Sequence, residues 1–173
     1  ECEETMSRVK ISEYRAKKLI NAAYGRDYDG ICVDLSGSSW IGSVSKLAST
    51  KKYVVKVDQG VKKRNKLGLV YVDRMNTDVA EDLRDIKSKG YEWALVEPFV
   101  RHVRKDERFV ALQRTKEGIQ LTYSNFGGVD VEEHADALQS CILPHFELKP
   151  SDNITVLKMG ILRPLYDLFV RSH

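Results

Sequence analysis

With 173 residues, the chain is long enough for one domain of ordinary size, or for two small lobes sharing a core. Hydrophobic residues at 42% and charged residues at 31% are those of a globular protein and exclude a disordered chain. A net charge of +3 is too small to mark a nucleic-acid surface by itself, and no apolar run approaches the ~20 residues needed to span a bilayer.

The acidic start Glu1-Cys2-Glu3-Glu4 is not a secretory signal, so a cytoplasmic protein is expected. Three cysteines, Cys2, Cys32 and Cys141, with no CxxC pair, argue against a disulfide framework or a zinc site. The histidines His102, His134, His145 and His173 show no HxxxH or HExxH spacing, so no metal site is expected from them.

In chain order, Ser12 is a plausible N-cap for a first helix. Ala16, Leu19, Ile20 and Ala23 would form its apolar face, Arg15, Lys17 and Lys18 would point elsewhere, and Gly25 would stop it. Gly30-Ile31-Cys32-Val33 reads as a short strand, followed by a Ser/Gly-rich loop over residues 36–39. Tyr53-Val54-Val55-Lys56-Val57 is a β-branched strand. A basic segment, Lys62-Lys63-Arg64-Asn65-Lys66, leads to a returning strand, Leu69-Val70-Tyr71-Val72. Thr77 or Asp78 can cap a helix with Val79, Leu83 and Ile86 on one face, which Gly90 ends.

Residues 93–100 form another strong strand pattern, in which Pro98 places the segment at a sheet edge or makes it leave the sheet at that point. Residues 109–114 and 119–123 flank Lys116-Glu117-Gly118 as a hairpin, and residues 125–128 form a turn. Val131, Ala135, Leu138 and Ile142 suggest a helix that Pro144 breaks, and Ile154 through Leu168 a last helix bent at Pro164. Strands joined mostly by hairpins favour an α+β arrangement over a doubly wound sheet.

Lys56 is unusual inside an apolar strand, because burying an unpaired ammonium is costly. It points to solvent, pairs with an acid, or faces a ligand anion, and strand alternation favours solvent. The segment 62–66, bounded by Gly60 and Gly68, can be a solvated turn, a nucleic-acid patch or a loop that closes over phosphates. It lacks the interleaved aromatics of a base-stacking surface, so nucleic acid is not expected, and it lacks the spacing of a Walker loop. Glu97 and Glu107 flank the Pro98 segment, where acids can accept from ribose hydroxyls and free backbone groups can read an adenine edge.

These pieces in this order resemble the N-terminal ATP-grasp region of ATP-citrate lyases and, more distantly, the nucleotide-binding β subunit of succinyl-CoA synthetases. The matching stretches are Lys10-Ile11-Ser12-Glu13-Tyr14, Ala16-Lys17-Lys18-Leu19, Val54-Val55-Lys56, Asp58-Gln59, Lys63 through Val70, Val96-Glu97-Pro98-Phe99-Val100 with His102, and Gly127-Gly128-Val129-Asp130-Val131. The resemblance covers most of the chain and is weakest over residues 21–52. It implies an α+β ATP-grasp fold, N-terminal portion, with a mixed or antiparallel sheet and flanking helices.

The resemblance further implies that Lys56 contacts ATP phosphates, and that Arg64 and the Asn65 backbone belong to the loop folding over them. Pro98 and Val100 would meet adenine, and Glu107 would bind the ribose. In the family, ATP phosphorylates a histidine, citryl-phosphate follows, and citryl-CoA is cleaved to acetyl-CoA and oxaloacetate. Two departures stand out. Asn65 replaces the family's glycine, although Asn tolerates positive φ. The strand reading roughly LEINP, after which the Mg²⁺ ligands come, does not occur in residues 1–173. The Mg²⁺, citrate, CoA and phosphohistidine sites are therefore expected in a remaining part or partner subunit of an oligomeric enzyme, this chain alone being catalytically incomplete. An unpartnered final helix would then expose an apolar face. Two readings compete with this one, a succinyl-CoA-synthetase-like ligase subunit and a non-catalytic scaffold that binds RNA or protein through loop 62–66.

Overall fold

The structure is a computed structural model that describes residues 11–127, 136–144 and 156–171. Of the sequence expectations, those on Cys2, Lys10, residues 128–135, His145, Ile154 and His173 lie outside the described residues. The chain divides into two compact units, Glu1–Val100 and Arg101–His173.

In the first unit, α1 (Glu13–Ala23) begins at Ser12, whose hydroxyl accepts from the Arg15 amide at 3.3 Å, and ends before Gly25 at φ 66°. There follow β1 (Ile31–Asp34), the short helix α2 (Trp40–Val44), β2 (Tyr53–Val57), β3 (Val70–Arg74), α3 (Val79–Ser88) and β4 (Trp93–Pro98). Sequence reading missed α2, which is too short to show periodicity and packs through Trp40 and Val44, one turn apart. Asp78 sits at the N-cap of α3 but turns its carboxylate to the Met75 amide instead.

The sheet order is β1-β4-β2-β3, with every pair antiparallel. β4 is therefore an inner strand, not an edge. Pro98 is tolerated because it is the last residue of β4, opposite Tyr53, where the ladder stops needing its missing N–H. Alternation along β2 buries Tyr53, Val55 and Val57. Together with Val33, Ala94 and Val96 they form one face of the sheet, closed by Trp40 and Val44 of α2 and Val79, Leu83 and Ile86 of α3. A bidentate pair from Arg74 to buried Asp82, at 2.7 and 2.8 Å, ties β3 to α3.

Lys56 and Glu97 lie on the opposite face of that sheet. Lys56 faces Leu95 across the ladder and Glu97 faces Val54, which makes the two charged residues diagonal neighbours.

The second unit holds β5 (Phe109–Arg114), β6 (Ile119–Ser124), β7 (Gln139–Leu143) and α4 (Val156–Arg171), with sheet order β5-β6-β7. The expected helix over residues 131–142 is wrong in its described part, where residues 139–143 pair with β6 as a strand. Its apolar spacing of four, three and four is helical, and pairing with β6 overrode it. Gly127 passes so close to the Arg108 backbone that a Cβ would sit 2.7–2.8 Å from it, which explains one glycine of the double-glycine motif.

The last helix contains Pro164 as expected. Its described side chains do not leave an open apolar face. Leu162 and Tyr166 are buried with Ile119, Leu121 and Leu143, and Phe169 and Val170 pack against them. No helix among the described residues is long and apolar enough to cross a membrane.

Candidate functional site

α1 turns its charged side, not its apolar side, towards the body of the first unit. None of its residues is buried, and Leu19 is 45% exposed. The expected apolar face of Ala16, Leu19, Ile20 and Ala23 therefore does not build the core. What holds the helix is polar. The Asp58 carboxylate, directly after β2, accepts from the backbone amides of Glu13 at 2.7 Å and Tyr14 at 3.1 Å. This satisfies the open first turn and complements the helix dipole.

That docking places Glu13 and Lys17 over Lys56 and Glu97. Lys56 Nζ lies 2.6 Å from Glu13 Oε1 and 2.7 Å from Glu97 Oε1. Lys17 Nζ reaches the same two oxygens at 2.9 and 2.6 Å and donates to Glu97 Oε2 at 2.8 Å. Tyr28 donates its hydroxyl to Glu97 Oε2 at 2.6 Å. Arg64 enters from the β2–β3 loop, donating to Glu13 Oε2 at 2.6 Å and to the Val57 carbonyl at 2.5 Å. The side chains of Lys56 and Glu97 are each only 12% exposed. Of the three options for Lys56, pairing with acids is the one realised. The outer face predicted by alternation is correct, but α1 covers it.

The electrostatics follow from this crowding. Burial pushes the Glu13 carboxyl up, but hydrogen bonds from Lys56, Arg64 and Lys17 outweigh it and hold the group down to about 2. Glu97 experiences the same opposition between burial and its lysine partners and is lowered as well. Burial works to lower Lys17, while the bonds to Glu97 and Glu13 raise it. Burial and the bond to Glu97 both raise Tyr28, which stays a protonated donor. A Cβ at Gly30 would overlap the Tyr28 ring, so glycine there lets the ring lie close enough to reach Glu97.

The basic loop is ordered around Arg64. Its carbonyl accepts from Leu67 at 3.2 Å and Leu69 at 3.0 Å, while its guanidinium points inward. Lys62, Lys63, Asn65 and Lys66 are exposed. The left-handed positions of the loop are Lys63, at φ 57°, and Gly68, at φ 64°. Asn65 does not need positive φ, so its replacement of the family's glycine imposes no strain in this conformation.

Lys56 and Arg64 are thus brought together, one on each oxygen of Glu13. Pro98 closes β4, and Val100 is 72% exposed at the end of the first unit. Glu107 lies in the second unit, bonded to His102 Nε2 at 2.7 Å. Sequence reading matched Glu13, Lys17 and Asp58 without giving them roles, and it did not single out Tyr28. The signal for the first pair was the Glu-x-x-x-Lys spacing, which sets both side chains on one helix face. Among the described residues no group of three or more His, Cys, Asp and Glu side chains could hold a metal ion.

No family model matches the chain. It is 28% identical over 155 residues to the ATP-citrate synthase alpha chain protein 2 of Arabidopsis thaliana, an alignment covering 80% of this chain and 36% of that protein. The chain therefore spans about a third of the length of the curated relatives it matches. In fold it matches an ATP citrate lyase from Methanothrix soehngenii, solved with citrate and coenzyme A, at a TM-score of 0.70 and 22% identity over 92% of this chain and 43% of the other. It also matches a Candidatus Korarchaeum cryptofilum acetyl-coenzyme A synthetase, solved with coenzyme A and a nucleotide analogue, at 0.60 and 18% identity over 91% of this chain and 68% of the other. The motifs, the α+β architecture and these relatives agree: the chain resembles the N-terminal ATP-grasp region of ATP-citrate lyases.

Proposed function

We propose that this chain is the ATP-binding part of an ATP-citrate lyase, the enzyme that makes acetyl-CoA and oxaloacetate from citrate, CoA and ATP through a phosphohistidine and citryl-phosphate. One observation carries the reading beyond resemblance. The two cations implied to hold phosphate, Lys56 from β2 and Arg64 from the loop, grip opposite oxygens of a single anionic group, each at 2.6 Å. A phosphate presents oxygens to such a pair in the same bridging manner, and a guanidinium suits it especially well.

In this reading Lys56 and Arg64 hold the phosphates and the Asn65 backbone lies along them. Pro98 and Val100 offer backbone and apolar contacts to adenine, and Glu107 accepts from the ribose. The described residues then supply positioning and charge stabilisation. The Mg²⁺, citrate, CoA and phosphohistidine chemistry belongs to the rest of the enzyme or to a partner subunit.

Calorimetric titration with Mg-ATP tests this directly. Saturable binding is expected, weakened at least about ten-fold in Lys56→Met, with GTP as a control, since ~1.4 kcal/mol of lost phosphate contact is a factor of ten. A folded chain that binds no nucleotide would reduce it to a scaffold with this fold.

A further inference from the structure

We infer that Lys17, Lys56 and Arg64 form one three-cation polyphosphate site whose ligand in this conformation is the chain's own Glu13, and that a polyphosphate enters by displacing that carboxylate. The inference rests on the proposed ATP-binding reading and adds to it a third binding cation and a built-in competitor.

The cations converge from three separate elements. Lys17 comes from α1, Lys56 from β2 and Arg64 from the β2–β3 loop, and all three end within 2.9 Å of the Glu13 carboxylate. Lys17 and Lys56 share the same Glu13 oxygen and the same Glu97 oxygen, so an anion that meets one ammonium meets the other. Three cations stand against three carboxylates, Glu13, Glu97 and Asp58, and the cluster is formally neutral. A neutral cluster offers an incoming phosphate little attraction. One carboxylate must leave before the cations present a net positive face.

The structure distinguishes which one leaves. Glu97 is 12% exposed and takes donors from Lys17, Lys56 and Tyr28. Asp58 is 6% exposed and is fixed by two backbone amides of α1. The Glu13 side chain is 23% exposed, and its partners Lys17, Lys56 and Arg64 are the cations a polyphosphate would take over. Side-chain rotation would swing it out to water while its own amide stays bonded to Asp58, so α1 remains docked as the anion is exchanged.

The test uses inorganic tripolyphosphate and Mg-ATP, titrated into the wild-type chain, Glu13→Gln, Lys17→Met and Lys56→Met, with folding checked by circular dichroism. Removing the competitor tightens tripolyphosphate by about ten-fold in Glu13→Gln, and removing the third cation weakens both ligands by a similar factor in Lys17→Met. Glu13→Asp, too short to bridge Lys56 and Arg64, serves if the glutamine variant does not fold, and it too is expected to bind more tightly. If wild type binds Mg-ATP through Lys56 while the Glu13 variants bind no more tightly, or Lys17→Met binds as wild type does, the inference is overturned and the ATP-binding reading stands. If no variant binds either ligand, both fall together.

Discussion

Glu97 sits where the sheet, α1 and the segment before β1 meet, and it accepts from Lys17, Lys56 and Tyr28. Removing one partner of such a buried network leaves the others desolvated and unpaired. Glu97→Ala is therefore expected to cost about 3 kcal/mol in urea unfolding, well beyond the typical loss at an exposed ion pair. A loss under about 1 kcal/mol would mean that Lys17 and Lys56 find water or Glu13 equally well. The same network sets an acid limit. Glu13 is held down to about 2 against an ordinary 4.5, and Glu97 is lowered too. A carboxylate lowered in the folded state stabilises it fully above its ordinary value, and that contribution is lost as pH falls towards the folded value. The urea midpoint should decline as pH drops from about 4.5 to about 2, and Glu13→Gln should flatten part of that decline. An acid slope identical in wild type and variant would place the sensitivity in other groups.

At the level of elements, α1 is the instructive case. Its boundaries were readable, because Ser12 and Gly25 carry cap and stop chemistry that is local. Its orientation was not, because the apolar spacing of Ala16, Leu19, Ile20 and Ala23 outweighed the charged spacing of Glu13 and Lys17 in a periodicity reading. Partners for those charges come from β2, β4 and the loop, 43 or more residues away in sequence, and no local pattern announces them. The exposed apolar face makes a simple prediction. Leu19→Gln together with Ile20→Gln should change unfolding stability by less than about 1 kcal/mol, as substitutions at exposed helix positions with good helix formers do. A loss of several kcal/mol would show that this face is covered in solution. Strands β2 and β3 were legible from composition and from the turn between them. β7 was not, since Gln139, Ser140 and Cys141 carry no strand signal and gain their conformation by pairing with β6. The site was legible to the extent that Lys56 and Arg64 converge, but their shared counter-ion was not.

At the scale of the whole molecule, the described residues form two buried hydrophobic clusters with no member in common. One joins the β1-β4-β2-β3 sheet to α2 and α3, and the other joins the β5-β6-β7 sheet to α4. Each unit carries one of these clusters. Cores that separate in this way unfold as separate cooperative units unless the interface between them is large, and two-state behaviour then fails for the chain as a whole. The chain carries its own reporters for this. Both tryptophans, Trp40 and Trp93, lie in the first unit, so fluorescence follows that unit, whereas far-ultraviolet circular dichroism follows both. Leu83→Ala removes a fully buried side chain of α3 and Leu121→Ala one of β6 that is 5% exposed, and each should cost about 3 kcal/mol to its own unit. The fluorescence midpoint in urea should fall in Leu83→Ala and hold in Leu121→Ala, while circular dichroism shows the second unit falling only in Leu121→Ala. If both substitutions shift both signals equally, the units fold as one. The charged cluster around Glu13 and Glu97, built from residues of the first unit, would then draw on the stability of the second.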